Sequence, residues 1–199
     1  MAECGTIDYY NRNAEAYIVS TVGVEFQGMQ ERFLREVPAG GTILDFGCGS
    51  GRDTKYFLER GYRVTAADGS EEFCRLAGAY TGILVKQMLF QELDEIGVYD
   101  GIWACSSILH LAYRELKAVM GKMARALKPG GVVYTSFKYG EFEGERNGRY
   151  FTDMTEEKVE RLLEEVAVFG VIEQWVTKDV RPGREEERWV NLLLRVERA

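Results

Sequence analysis

Between residues 43 and 51 the chain reads Ile-Leu-Asp-Phe-Gly-Cys-Gly-Ser-Gly, an apolar run that passes through Asp45 and then places a glycine at every second position, Gly47, Gly49 and Gly51. Glycines let a backbone turn left-handed and let a ligand approach without meeting a Cβ. A helix opening directly behind such a loop points its free N–H groups into the same crevice. Dinucleotide-binding loops of the GxGxxG type sit at the same place, so the glycines alone leave the ligand open. Two details separate the possibilities: position 52 is Arg rather than a third glycine at that spacing, and Asp45 precedes the first glycine by two residues. A carboxylate there crowds a pyrophosphate but can receive a ligand ammonium group, directly or through water. A second acid, Asp68, closes the next apolar run, where it can accept hydrogen bonds from both hydroxyls of a ribose. Asp68 alone shows only that a ribose is plausible, since NAD enzymes share that feature.

These residues need a sheet to position them. From about residue 42 to 138, short apolar runs alternate with segments of helical period, the pattern of βαβ units and a mostly parallel sheet. The spacing predicts strands over 42–46, 62–67, 83–85, 99–105 and 132–137. It predicts a helix from Arg52 to Arg60 stopping at Gly61, and another capped by Ser70 with Glu71 and Glu72 at its positive end. Leu116, Val119, Met120, Met123 and Leu127 recur at spacings of three and four, giving a helix with one apolar face that ends at Lys128-Pro129-Gly130-Gly131. The last third reads as an acidic helix behind Thr155, then two strands, 169–178 and 188–196, joined as a hairpin. Residues before 38 read as one or two helices. The expected organisation is a single domain over 1–199: a helical cap over 1–37, a core over 38–138, and a loop, helix and terminal hairpin over 139–199.

Composition narrows the partners. At 199 residues and 46% hydrophobic the chain can bury one substantial core, and the net charge of -7 disfavours, without excluding, a broad nucleic-acid face. A small or medium-sized substrate is favoured. The four cysteines form no CxxC pair and His110 is the only histidine, so a zinc site and a disulfide framework are not expected. No apolar run approaches a membrane span and the first residues lack a signal-peptide pattern, so a cytoplasmic protein is expected.

LDFGCGSG, then AADGS, then YDGIWACSSILHL and LKPGG occur in the order of the successive motifs of class I methyltransferases, which the chain resembles over residues 38 to 138. Within that superfamily it is similar to small bacterial enzymes related to the tellurite-resistance methyltransferases. The resemblance implies a Rossmann-like three-layer α/β sandwich on a seven-stranded, mostly parallel sheet with an antiparallel last strand. It implies S-adenosylmethionine as cofactor and methyl transfer to a small acceptor, with an anion as one option. Asp45, Gly47, Cys48, Gly49 and Gly51 would then surround the methionine moiety, and Asp68, with Gly69 and Ser70 beside it, the ribose. Met88, Leu89 and Phe90 would flank adenine, although Met88 stands where the family often has an Asp. Cys105 and Ser106 would face the reactive sulfur, and Tyr17, with Tyr10 and Asn13, would close the pocket.

An already electrophilic methyl group needs alignment and exclusion of water more than a catalytic triad, and none is visible. His110, in Ser106-Ser107-Ile108-Leu109-His110, is the candidate general base, against the alternative that it packs near the cofactor and orients the loop. Two basic stretches fall in loops after strands: Lys138 and Tyr139 with Arg146, Arg149 and Tyr150, then Arg181-Pro182-Gly183-Arg184 before Trp189. Lys138, Tyr139, Arg149, Arg181, Arg184 and Trp189 are candidates to grip an anionic acceptor, against a reading in which Arg184 is simply paired with Glu185, Glu186 and Glu187. A NAD-dependent oxidoreductase on a similar fold and a non-catalytic module that binds S-adenosylmethionine are the rival readings.

Overall fold

The computed structural model describes residues 2–181, 183–184 and 186–197; Pro182 and Glu185 of the second basic stretch lie outside the described residues. Seven strands, β1 (Thr42–Phe46), β2 (Arg63–Asp68), β3 (Val85–Gln87), β4 (Tyr99–Ala104), β5 (Leu127–Lys138), β8 (Phe169–Lys178) and β9 (Arg188–Val196), form one sheet in the order β3-β2-β1-β4-β5-β9-β8. β9 runs antiparallel to both of its neighbours, and the pairings among β1 to β5 are parallel. This is the predicted Rossmann-like α/β fold. Chain order reverses direction between β1 and β4, which places a crevice at the carboxyl ends of those strands, where β1 delivers its glycine loop.

Two apolar layers hold the helices to the sheet. On one face α5 (Tyr113–Ala126) and α6 (Glu156–Val166) cover Leu44, Phe46, Ile102, Val133 and Leu192. On the other, α2 (Gln27–Leu34) and α3 (Arg52–Glu59) place Phe33 and Phe57 against Ile43, Trp103 and Tyr134, and α4 (Glu71–Thr81) packs Ala77 on Ala66 and Val85. Alternation along β1 therefore sends Ile43 and Asp45 to the α3 face and Leu44 and Phe46 to the α5 face.

Local signals explain most boundaries. Ser70 caps α4 by accepting from the Phe73 amide at 3.2 Å, and Gly82 ends that helix in a left-handed conformation. β5 is longer than predicted: it begins at Leu127, pairing with Tyr99 before an irregularity, so Lys128-Pro129-Gly130 lies within the strand rather than before it. β3 is displaced to Val85–Gln87. The segment expected as loop after β5 contains a hairpin, β6 (Glu143–Arg146) and β7 (Arg149–Thr152), that leans on the long N-terminal helix α1 (Ala2–Thr21) through the Tyr150 amide donating to Thr6 Oγ1 at 2.9 Å. No helix among the described residues is long and apolar enough to cross a membrane.

Gly101 on β4 shows how closely α2 is seated. A Cβ there would lie 2.6 Å from Phe33 Cζ and 2.8 Å from Val37 Cγ2. Gly101→Ala should cost about 1–3 kcal/mol through overpacking. An unchanged urea midpoint would show that α2 is not packed against β4 in this way.

Candidate functional site

At the end of β1 the loop turns back over β2: the Gly47 and Cys48 amides both donate to the Ala67 carbonyl, at 2.8 and 3.0 Å. Gly47, Gly49 and Gly51 all have positive φ. A Cβ on Gly47 would lie 2.4 Å from Cβ of Ser107, whose hydroxyl in turn donates to the Phe46 carbonyl at 2.7 Å. Asp68 ties this loop to the next: Oδ2 accepts from the Gly49 amide and Oδ1 from the Ser70 amide, each at 2.9 Å. Burial pushes its carboxyl up to about 6, against the opposing pull of the Ser70 and Gly49 amides. Each oxygen accepts one amide and keeps a further lone-pair direction. Asp68 lines the cavity that opens here, about 820 Å³ in volume and within the range of ~300–1,000 Å³ typical of small-molecule sites.

Asp45 and Gly51 have other surroundings. Asp45 faces α3, as the alternation of β1 requires, and is buried beneath the loop, accepting from Thr54 Oγ1 at 2.5 Å. Burial, and then the nearby Asp53 carboxylate, raise its pKa. Gly51 opens α3, and a Cβ on it would lie 2.8 Å from Thr81 Cγ2, so it serves the packing of α3 on α4. Neither lines the cavity, and nor does Ser70, which is taken up by its capping bond and by donating to Asn11 Oδ1 at 2.7 Å.

Where α3 meets the cavity stands Asp53, a residue that sequence reasoning missed. Its carboxylate accepts from Gln30 Nε2 at 2.6 Å, from Trp103 Nε1 at 2.9 Å and from Arg52 Nε and NH2 at 2.8 and 2.9 Å. Arg52 lines the cavity beside it. The only hint was an Arg-Asp pair directly behind the glycines; Gln30 and Trp103 reach Asp53 from distant elements.

Gly47, Cys48, Gly49, Asp68, Gly69, Met88, Leu89, Phe90, Cys105 and Ser106 all line the cavity, as does Tyr17. The Met88 amide donates to the Asp68 carbonyl at 2.9 Å, and Phe90 stands edge-on to Phe46. Cys105 is partly buried, and desolvation pushes its thiol up to about 12, so it stays protonated. Ser106 has φ of 51°, held by its amide donating to Ser136 Oγ at 2.9 Å.

α1 forms the opposite wall. Asn11 receives the Ser70 hydroxyl, fastening α1 to the start of α4, and Tyr10 and Tyr17 pack on Phe73. Asn13, expected near the pocket, is exposed and donates to the Tyr9 carbonyl. His110 Nδ1 lies 2.6 Å from the Tyr150 carbonyl and Nε2 lies 2.8 Å from Tyr10 Oη. A carbonyl only accepts, so Nδ1 carries the proton, and the neutral ring accepts from the Tyr10 hydroxyl at Nε2. Burial holds the imidazole neutral, down to about 4, with the Arg149 charge adding to the effect and the Tyr150 carbonyl opposing it.

The acceptor-side candidates also converge on this cavity: Lys138, Tyr139, Arg149, Arg181, Arg184 and Trp189 all line it. Most are engaged with acids. Arg181 donates twice to Asp179, which also accepts from Trp189 Nε1 at 3.0 Å and is held down at about 2; burial alone would raise it. Lys138 and Arg184 both pair with Glu187, and Arg188 lies over the Tyr139 ring. Arg149 is different: it stacks among Tyr9, Tyr10 and Phe151.

A profile of the methyltransferase domain family matches residues 43–131. The S-adenosyl-L-methionine-dependent Diels-Alderase of Talaromyces variabilis is 30% identical over 155 residues, 72% of this chain and 49% of that protein. The malonyl-[acyl-carrier protein] O-methyltransferase of Pectobacterium atrosepticum is 33% identical over 107 residues, 52% of this chain and 42% of its own. The chain spans about half the length of the curated relatives it matches. Among solved structures, the 1,6-didemethyltoxoflavin-N1-methyltransferase of Burkholderia thailandensis superposes with a TM-score of 0.76 at 21% identity, covering 96% of this chain and 85% of its own, a likeness of fold.

His110 offers a direct check on the geometry. Between its folded value and the unfolded value of about 6.5, the unfolded chain binds a proton that the folded one refuses. The group therefore contributes stability that is lost as pH falls through this window. Being the sole imidazole, it gives one Cε1–H signal by NMR, which should titrate near 4. A midpoint near 6.5 would mean the ring is not enclosed as described.

Proposed function

We propose that this chain is a class I S-adenosylmethionine-dependent methyltransferase, a reading that its family match and fold support, and that it binds S-adenosylmethionine in the β1–β4 crevice and methylates a small-molecule acceptor held under α1 and the β6–β7 hairpin. One observation carries the choice of nucleotide: the Asp53 carboxylate stands in the first turn of α3, where a dinucleotide loop leaves the helix end open for a pyrophosphate. The same end suits a zwitterion, because Arg52 gives only Nε and NH2 to Asp53 and keeps its NH1 donor for a ligand carboxylate.

The residues fit the donor. Asp68 keeps two acceptor directions for a vicinal diol after serving Gly49 and Ser70, and a side chain on Gly47 would collide with Ser107. Met88, Leu89 and Phe90 supply an apolar slot for a purine. S-adenosylmethionine supplies a methyl group on a positively charged sulfur, which any well-aligned nucleophile can take. Tyr10, Tyr17 and Phe73 form an aromatic wall that keeps water from this end of the cavity. His110 reaches an acceptor only through Tyr10: a proton given to the phenol oxygen can be matched by the phenol's own proton passing to Nε2. The acceptor names carried by the relatives, malonyl-[acyl-carrier protein] and 1,6-didemethyltoxoflavin, support a small-molecule acceptor. A metalloid oxyanion of the tellurite type is one small acceptor to try.

Calorimetry should show S-adenosylhomocysteine binding while NADH gives no heat; saturation by NADH instead would sink the assignment. Since an ionised Asp68 is the form that accepts two hydroxyls, affinity should be level above about pH 6 and weaken up to about tenfold per unit below it. Labelled donor offered with small acids, thiols and tellurite would then identify the acceptor, and a Diels-Alder-type activity would appear as binding without transfer of label.

A further inference from the structure

Five partly buried cations line the cavity, and four of them have carboxylate partners: Arg52 with Asp53, Lys138 with Glu187, Arg146 with Asp153, and Arg181 with Asp179. The fifth, Arg149, forms no ion pair with any described residue. Its NH1 donates to Tyr10 Oη at 3.3 Å, its Nε is buried without a partner among the described residues, and NH2 donates to none of them. The guanidinium is instead enclosed by aromatic faces, 4.6 Å from the Tyr9 centroid and 5.1 Å from that of Phe151. Such contacts offset part of the cost of desolvating a cation, and an anion offsets far more.

We propose that Arg149 receives a carboxylate of the methyl acceptor, so that the substrate is a small carboxylate-bearing molecule whose anion completes this ion pair at the Tyr10–His110 end of the cavity. The inference rests on the methyltransferase reading and narrows it. It also divides the basic residues of the site: Arg181 is paired with Asp179, and Lys138 and Arg184 share Glu187, while Arg149 is left for the ligand. A carboxylate suits it because the guanidinium end offers coplanar N–H donors matched to two oxygens. Arg149 also lowers the basicity of His110, so its neutralisation can be read at a distance. His110 is surrounded by Tyr10 from α1, by Phe151 and the Tyr150 carbonyl from β7, and by the Arg149 charge, and no described carboxylate forms an ion pair with it.

The test follows the single His110 signal by NMR in protein saturated with S-adenosylhomocysteine, adding acetate or benzoate, with benzamide as the neutral counterpart. A carboxylate bound at Arg149 should raise the His110 midpoint by about a unit, and benzamide should leave it in place. Arg149→Gln should raise the midpoint unaided and abolish the carboxylate response, Arg149→Lys should keep a weaker response, and Arg181→Gln should keep it in full. A response surviving Arg149→Gln, one lost in Arg181→Gln, or none to either carboxylate in the native chain overturns the proposal. Failure of S-adenosylhomocysteine to bind would be seen separately by calorimetry and would count against the donor site, because the anion titration can be repeated without it.

Discussion

The site depends on one carboxylate at the end of β2. Asp68 accepts the Gly49 amide with one oxygen and the Ser70 amide with the other, joining the glycine loop of β1 to the start of α4. The parallel register of β1 with β2 brings the two loops level, Phe46 standing opposite Ala67. Ser70 then caps α4 and donates to Asn11, so the same corner also anchors α1. Desolvation works against the charge and the two amides work for it. The balance leaves a group that ionises near neutrality and still has capacity for a diol.

Around that corner the protein separates its charges. Asp53 gathers Gln30, Trp103 and Arg52 on the α3 side, and Asp179 gathers Arg181 and Trp189. Both acids are saturated by donors from the chain itself, which is the arrangement a buried charge requires. A third group holds the neutral His110, the Tyr10 phenol and Arg149, whose charge no described acid balances.

Much of this architecture was legible in residue order. β1, β8 and β9 have the predicted bounds, Ser70 caps as its position implied, and the alternation of apolar runs yields the parallel sheet. The glycines and Asp68 were legible because their role is local, a strand end turning into a helix. What stayed hidden depends on contacts distant in sequence. Asp45 looks like a ligand residue by spacing, yet strand alternation turns it to Thr54. Asp53 gains its meaning from Gln30 and Trp103, and the β6–β7 hairpin has short polar strands with little periodicity. The four basic acceptor-side candidates look alike in sequence, and only the placement of Asp179 and Glu187 sets Arg149 apart from Arg181, Arg184 and Lys138.

The most direct measurement of the Asp68 corner is an NMR pH titration of the Gly49 and Ser70 amides, with and without S-adenosylhomocysteine. Both amides should report one shared midpoint near 6 in the free protein, and that midpoint should move well down when the bound ribose favours the ionised carboxylate. Separate midpoints for the two amides, or a shared one that the nucleoside leaves in place, would contradict the account.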